Sequence, residues 1–337
     1  MKKRFNLICG LFLGFISVSG TTASAQETKE NYKILEVKRI WDQSPHNAFT
    51  DLIRHKSQWY CAFREGETHV SDDGELRVIR SADGETWESV ALMEWEGGDI
   101  RDAKLSITPT GMLMLNGAVR FHVPLNGHNH QSLTWLSADG EQWEGPFACP
   151  TGLGTWRWSA TWHDGMGYSF GYSGKDKAGC LYGTRDGKTW EVIRDSVFPH
   201  VDTYPNESSL VFDKNDQAYC LLRRDEGSAS ALLGISNPPY REWKWKDLGV
   251  RVGGPKIMQV ADGRFFAAVR LYDGEARTSL CLVDPVKGSL TECLKLPSGG
   301  DTSYAGMVEY GGNLWISYYS SHEEKTAIYL ARVSIKI

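Results

Sequence analysis

After its first 25 residues the sequence has no long apolar run, no CxxC pair, no sustained helical periodicity and no excess of positive charge. Each absence excludes something. No later segment approaches the ~20 consecutive apolar residues of a membrane-spanning helix, so no span is expected. Most cysteines sit singly inside strand-like apolar runs, which argues against a zinc site. The formal charge is −5, and a surface of that sign repels phosphate backbones, so nucleic acid is not an expected partner.

The one apolar run that is present comes at the start. Residues 1–25 read as a secretory signal: Lys2, Lys3 and Arg4, then an apolar stretch from Phe5 to Val18, then Ala-Ser-Ala before Gln26. Cleavage near Ala25 would leave residues 26–337 as a secreted or periplasmic protein and move the charge from −5 to −8. Six cysteines would remain: Cys61, Cys149, Cys180, Cys220, Cys281 and Cys293. Export permits disulfides, and Cys281 could face Cys293 across a hairpin, but buried free thiols are the reading adopted.

Short alternating apolar runs broken by Gly, Asp and Asn fill the rest of the chain, the pattern of an all-β protein. A strand, tight turn, strand unit recurs six times, starting near Asp51, Ala103, Ser159, Ser208, Pro255 and Ala305. That spacing is the size of a four-stranded propeller blade, so a single-domain six-bladed β-propeller is expected over 26–337. The run ILEVKRIW from Ile34 has no unit of its own and is expected to supply the outermost strand of the last blade, covering an open edge.

After the third strand of units one to three comes a repeated octapeptide: SADGETWE at Ser81, SADGEQWE at Ser137 and TRDGKTWE at Thr184. Asp-Gly is a two-residue hairpin signal, Asp accepts turn N–H groups, and Trp packs between blades. These motifs resemble the Asp-boxes of the sialidase superfamily, although the usual form carries one more residue before the Thr. The resemblance implies a sialidase-like propeller whose chemistry lies on the opposite rim, where strand one starts and strand two ends.

That rim is rich in charged and aromatic residues. NESSLVF followed by QAYCLLRR is similar to the family's fourth blade, which implies Glu207 as activator of the nucleophile and Arg223 as a carboxylate clamp. AVRLYDGEARTSLCLV resembles the fifth, with Arg277 as a second clamp and Arg270 as its nearby substitute. DTSYAGM resembles the sixth and places the catalytic tyrosine at Tyr304. The loop FREGETHVSDDGELRV corresponds to the segment holding the acid/base; Asp72 is the choice, with His69, Asp73 and Glu65 as alternatives. Asp102 resembles a position that touches sugar hydroxyls, or is a strand-capping carboxylate. Trp156, Trp158 and His122 could meet a sugar ring, and Asp51, His46 and Asn47 are rim residues without a role.

A tyrosine nucleophile has a physical reason. Sialic acid carries a carboxylate on its anomeric carbon, which a carboxylate nucleophile would repel, whereas a neutral phenol paired with Glu avoids that repulsion. Arg forks hold such a carboxylate in bidentate fashion.

The sequence departs from the family where unit one opens. The family's F/Y-R-I-P tetrapeptide supplies a clamp Arg; here NAFTDL stands in its place, leaving Arg64 or Arg101 to reach the same space. The Glu of the last blade's LYE segment is also replaced, with Glu323 farther along. The expected activity is a retaining exo-glycosidase acting on a terminal acidic sugar of a glycan, as a monomer and without any cofactor. The alternatives are a related glycosidase for a different sugar, favoured by the lost Arg, and a non-catalytic glycan-binding propeller.

Overall fold

The computed structural model describes residues 32–336 apart from 175–176 and 200–202. The expected signal segment lies outside the described residues. The chain is all-β, and its only helix among the described residues is one 3-10 turn, Pro150–Gly152.

Strand β1 (Lys33–Trp41) comes first. Strands β2 to β5 (His46–His55, Gln58–Gly66, Glu75–Ser81, Glu88–Met93) form one antiparallel sheet, and β6 to β9 (Gly98–Ile107, Leu113–Leu125, His128–Ser137, Glu144–Phe147) a second. A third holds β10 to β13 (Trp156–His163, Met166–Tyr172, Cys180–Thr184, Glu191–Asp195). Strands β14 to β20 (Pro205–Phe212, Ala218–Arg224, Ser230–Ser236, Lys244–Gln259, Phe265–Leu271, Arg277–Asp284, Ser289–Lys295) make a seven-stranded sheet. The last combines β21 to β23 (Thr302–Tyr310, Asn313–Ser320, Ala327–Ser334) with β1, which pairs antiparallel with β23 as its outer strand.

The sheets stand in a propeller-like arrangement. Their first strands touch in a closed ring, β2 to β6, β10, β14, β17, β21 and back to β2. The fourth and fifth sequence units share the seven-stranded sheet because β17 is long enough to serve both: Lys244–Arg251 pairs with β16, and Val252–Gln259 pairs with β18.

Burial follows position in each sheet. Second strands such as β3 (QWYCAFREG) are buried at almost every residue because neighbouring sheets pack on both faces. Outer strands such as β13 (EVIRD) are largely exposed and charged. The core lies between sheets; Phe266, Leu280 and Ile316 are each fully buried there, worth about 1.5–3 kcal/mol apiece. Cys281 and Cys293 are both buried and are not bridged.

The Asp-box hairpins are locked alike. Asp83 Oδ1 accepts the N–H groups of Glu85 (2.8 Å) and Thr86 (3.1 Å), Asp139 those of Glu141 (2.9 Å) and Gln142 (2.8 Å), and Asp186 those of Lys188 and Thr189 (both 2.8 Å). The Trp87 and Trp143 indoles donate back to Gly84 and Gly140 carbonyls.

The feature that the sequence does not announce is a bulge near the start of every first strand. Register slips between Ala48 and Asp51, Arg101 and Lys104, Arg157 and Ala160, Pro205 and Ser208, Gly253 and Lys256, and Ser303 and Gly306. A bulge bends its strand and re-aims a side chain. Phe49, Asp102, Gly254 and Tyr304 occupy the first bulge position with φ of 62°, 60°, 54° and 50°. Trp158 shares that position, and Glu207 follows Asn206 in the fourth bulge.

Candidate active site

The six bulges meet at one rim, and two of them form its centre. The Tyr304 phenol donates to Glu207 Oε1 at 2.5 Å. Arg223, next to last in β15, donates from Nη1 to that same oxygen (2.7 Å) and to Tyr304 Oη (2.9 Å). Glu207 Oε2 accepts the Gly254 N–H at 2.9 Å. Tyr304 and Glu207 are each only 7% exposed, so these bonds form in a low-dielectric setting that strengthens them.

Gly254 is required here. A Cβ on it would stand 2.7 Å from Tyr304 Cδ2 and 2.9 Å from the Tyr304 backbone nitrogen, and its φ of +54° already disfavours side chains. The fifth bulge therefore contributes an N–H and empty space where its neighbours contribute side chains.

Electrostatics separate the members. Burial and the nearby Glu207 push the Tyr304 phenol well above its ordinary range. Burial opposes the charge on Arg223, but Glu207, Tyr304 and Asp225 outweigh it and hold the guanidinium ionised. Burial, aided by Glu207 and only partly offset by Arg101, pushes the Asp102 carboxyl up to about 6. A carboxyl shifted to about 6 holds its proton over a wider pH range than an ordinary aspartate, which suits it to donate one.

Two more cations border the phenol. Arg270, at the end of β18, has its guanidinium carbon 5.5 Å from the Tyr304 ring centre and donates to Thr302 O (2.6 Å), Tyr319 Oη (2.8 Å) and Asp301 Oδ1 (3.0 Å). Arg101 stacks 5.0 Å above Phe49, whose ring meets Tyr304 edge-on at 5.0 Å, and is paired with Asp99 at 3.0 Å. Beneath them Lys104 donates to Thr50 O (2.9 Å) and Lys256 to Asp51 Oδ1 (2.9 Å), tying the ring of first strands together.

Other residues singled out in the sequence stand elsewhere. Arg277 opens the third strand of its unit, farther from the axis, and pairs with Glu292 (2.8 and 2.9 Å) and Asp273 (2.9 Å). Arg64 is fully buried and holds Asp99 (2.8 Å) together with the Thr68 and Ser71 carbonyls, so it braces the loop after β3. Asp72 is exposed and pairs with Arg120 at 2.8 Å. Asp73 accepts the Glu67 N–H at 3.0 Å, and Glu65 binds Trp41 and Arg77. His69 reaches to Asp301, just before the first strand of the last unit. Trp158 lies 5.8 Å from Tyr304, whereas Trp156 packs on His130 and His122 bonds the Asp72 carbonyl. A separate cavity of about 750 Å³ at the opposite end, near His163, Tyr168 and Tyr240, contains none of the central residues.

No protein-family model matches the chain, and no curated protein matches its sequence. Solved structures do match its fold. A Dyadobacter fermentans protein of unknown function superimposes with a TM-score of 0.81 at 17% identity, over 91% of this chain and 100% of that one. An alpha-L-arabinanase of Penicillium chrysogenum, complexed with arabinobiose, gives 0.67 at 15% identity, over 88% of this chain and 98% of that one. A Trypanosoma rangeli sialidase, captured as a covalent intermediate with difluorosialic acid, gives 0.68 at 12% identity. This chain is covered to 89% in that superposition and spans only 59% of the sialidase. At these identities the likeness is one of fold, shared by glycosidases of different sugars.

Proposed function

We propose that this chain is an exported, monomeric, retaining glycosidase with Tyr304 as nucleophile, built on six blades with the seven-stranded sheet counted as two. The observation that carries the reading is the 2.5 Å bond from the Tyr304 phenol to Glu207, with Arg223 donating to both partners. A phenol held far above its ordinary range cannot ionise alone. Glu207 takes the proton as the Tyr304 oxygen bonds to the anomeric carbon, and the bond to the leaving oxygen breaks. Asp102 supplies the proton that the leaving oxygen receives. In the second half, water loses a proton to Asp102 and attacks the anomeric carbon; Tyr304 departs and recovers its proton from Glu207.

The substrate we favour is a terminal acidic sugar. Arg223 and Arg270 lie against the phenol, and Arg101 stacks on Phe49, whose ring meets the phenol edge-on. One observation supports a different sugar: each of these guanidiniums already has a carboxylate partner, Asp225 and Glu207, Asp301, and Asp99 respectively. A substrate carboxylate has to compete with them; a neutral sugar does not.

The experiment is hydrolysis of a fluorogenic sialoside and a panel of neutral glycosides, pentosides included, by the wild type and Tyr304→Phe. Turnover of the sialoside, abolished in the variant, supports the first reading. Turnover of a neutral glycoside alone selects the second. Full activity of Tyr304→Phe defeats the mechanism.

A further inference from the structure

We propose that His46, His69 and Asp301 form a binding site for a divalent transition-metal ion of the zinc class, open toward the rim. The three residues come from separate parts of the chain: the start of β2, the loop after β3 and the segment before β21. Their ligand atoms lie within 4.8 Å of one another. His46 Nε2 stands 3.2 Å from Asp301 Oδ2, and His69 Nδ1 is 2.5 Å from the same oxygen.

The donor set and its surroundings both suit an ion. Two imidazoles and a carboxylate are borderline-to-hard donors that zinc, cobalt and manganese accept. Bonds of roughly 2.0–2.2 Å in a tetrahedral arrangement set donor atoms roughly 3.3 Å apart, close to the His46 to Asp301 spacing. His69 has to withdraw by less than about 1 Å to match, and it is free to do so, being 45% exposed at its side chain. Its exposure also leaves the fourth ligand position open to water or substrate.

The remaining oxygen of Asp301 is fixed as a metal carboxylate's should be. Oδ1 accepts the Tyr319 phenol (2.7 Å) and Arg270 (3.0 Å), which turns Oδ2 toward both imidazoles. The His69 loop is braced from below by Arg64. Beside Arg270, the ion would also add positive charge for an anionic group of the substrate. That role rests on the glycosidase reading; the binding itself does not.

The test is Co²⁺ and Zn²⁺ titration of chelator-treated full-length protein, followed by calorimetry and by the visible d–d absorption of Co²⁺. One ion per chain is expected, with a visible band and a raised Tm. His69→Ala, a change in an exposed loop, should weaken binding by more than about 100-fold while circular dichroism shows an intact fold, and Tyr319→Phe should weaken it roughly 10-fold. Tyr304→Phe should bind as the wild type does, so that loss of hydrolysis and loss of the ion are read separately. No binding by the wild type, or binding unchanged in folded His69→Ala, overturns the proposal and leaves the cluster a hydrogen-bonded brace for Arg270.

Discussion

The two ends of this propeller use the same side chain, aspartate, in opposite ways. At the Asp-box end, Asp83, Asp139 and Asp186 accept turn N–H groups, and those bonds hold each carboxyl below its ordinary range. At the other end, burial dominates at Asp102 and pushes it up to about 6. At the first end the aspartate oxygens fix the backbone of their own turns. The other withholds local donors from a carboxyl and crowds it with Glu207. Structural and chemical uses of a residue are thus separable by where its hydrogen bonds go.

The comparison predicts that changes at the two ends divide between activity and stability. The largest effect belongs to Glu207→Gln, which keeps the shape but cannot take the phenol proton. We expect kcat to fall by roughly 10²- to 10⁴-fold on whichever glycoside the wild type turns over, with a moderate loss of Tm because Arg223 loses one of its two carboxylate partners and keeps Asp225. A Tm collapse with proportionate loss of activity would make Glu207 a structural residue and erase the division.

Gly254→Ala comes next, because it mixes the two kinds of effect. Its Cβ has to displace Tyr304, and its φ disfavours the new side chain. Stability should drop by about 1–3 kcal/mol in denaturant melts. Turnover should fall by roughly 100-fold as the phenol moves off Glu207. An active, stable variant would mean that the fifth bulge has no part in positioning the pair.

These outcomes bear on what the sequence can express. The strands, their repeat and the β1 closure are written as alternation and spacing, and Glu207, Arg223 and Tyr304 stand in motifs adjacent to those strands. The bulges are not written that way. A one-residue slip in register flips a side chain from one face to the other, and AFT, RDA, RWS, PNE, GGP and SYA share no composition that marks it. Arg270 and Arg277 illustrate the consequence. Seven residues apart, one ends a second strand and reaches Tyr304, while the other begins a third strand and pairs with Glu292. The His46, His69 and Asp301 cluster was illegible for a different reason, since 232 positions separate His69 from Asp301 and only closure of the ring brings them together.

A smaller effect tests the raised carboxyl through pH. If Asp102 donates the proton, kcat/KM should decline as pH rises through about 6, and that limb should vanish in Asp102→Asn, whose residual turnover should recover on substrates with good leaving groups. For stability the sign is opposite to that of an ordinary paired carboxylate. The folded state holds this proton more tightly than the unfolded chain, so its contribution to stability is lost as pH rises from the unfolded value toward about 6. Asp102→Asn should therefore melt higher than the wild type at pH 7 and show less of a difference at pH 4. A kcat/KM limb that persists in Asp102→Asn would return the proton-donor role to the loop carrying Asp72 and His69.

The smallest effect is at the Asp-box end. Asp186→Ala removes the acceptor for the Lys188 and Thr189 N–H groups in an exposed turn, where water replaces much of what is lost. Tm should fall by a few degrees at most, with kcat and KM unchanged within error. The wild-type carboxyl is held low, so its stabilising contribution is present above the unfolded-state value and disappears as pH drops through the folded-state one; the variant and wild type should therefore converge in strongly acidic melts. Should this change instead reduce turnover without lowering Tm, the hairpin would be coupled to the distant rim through β12, and the two ends could no longer be treated as independent.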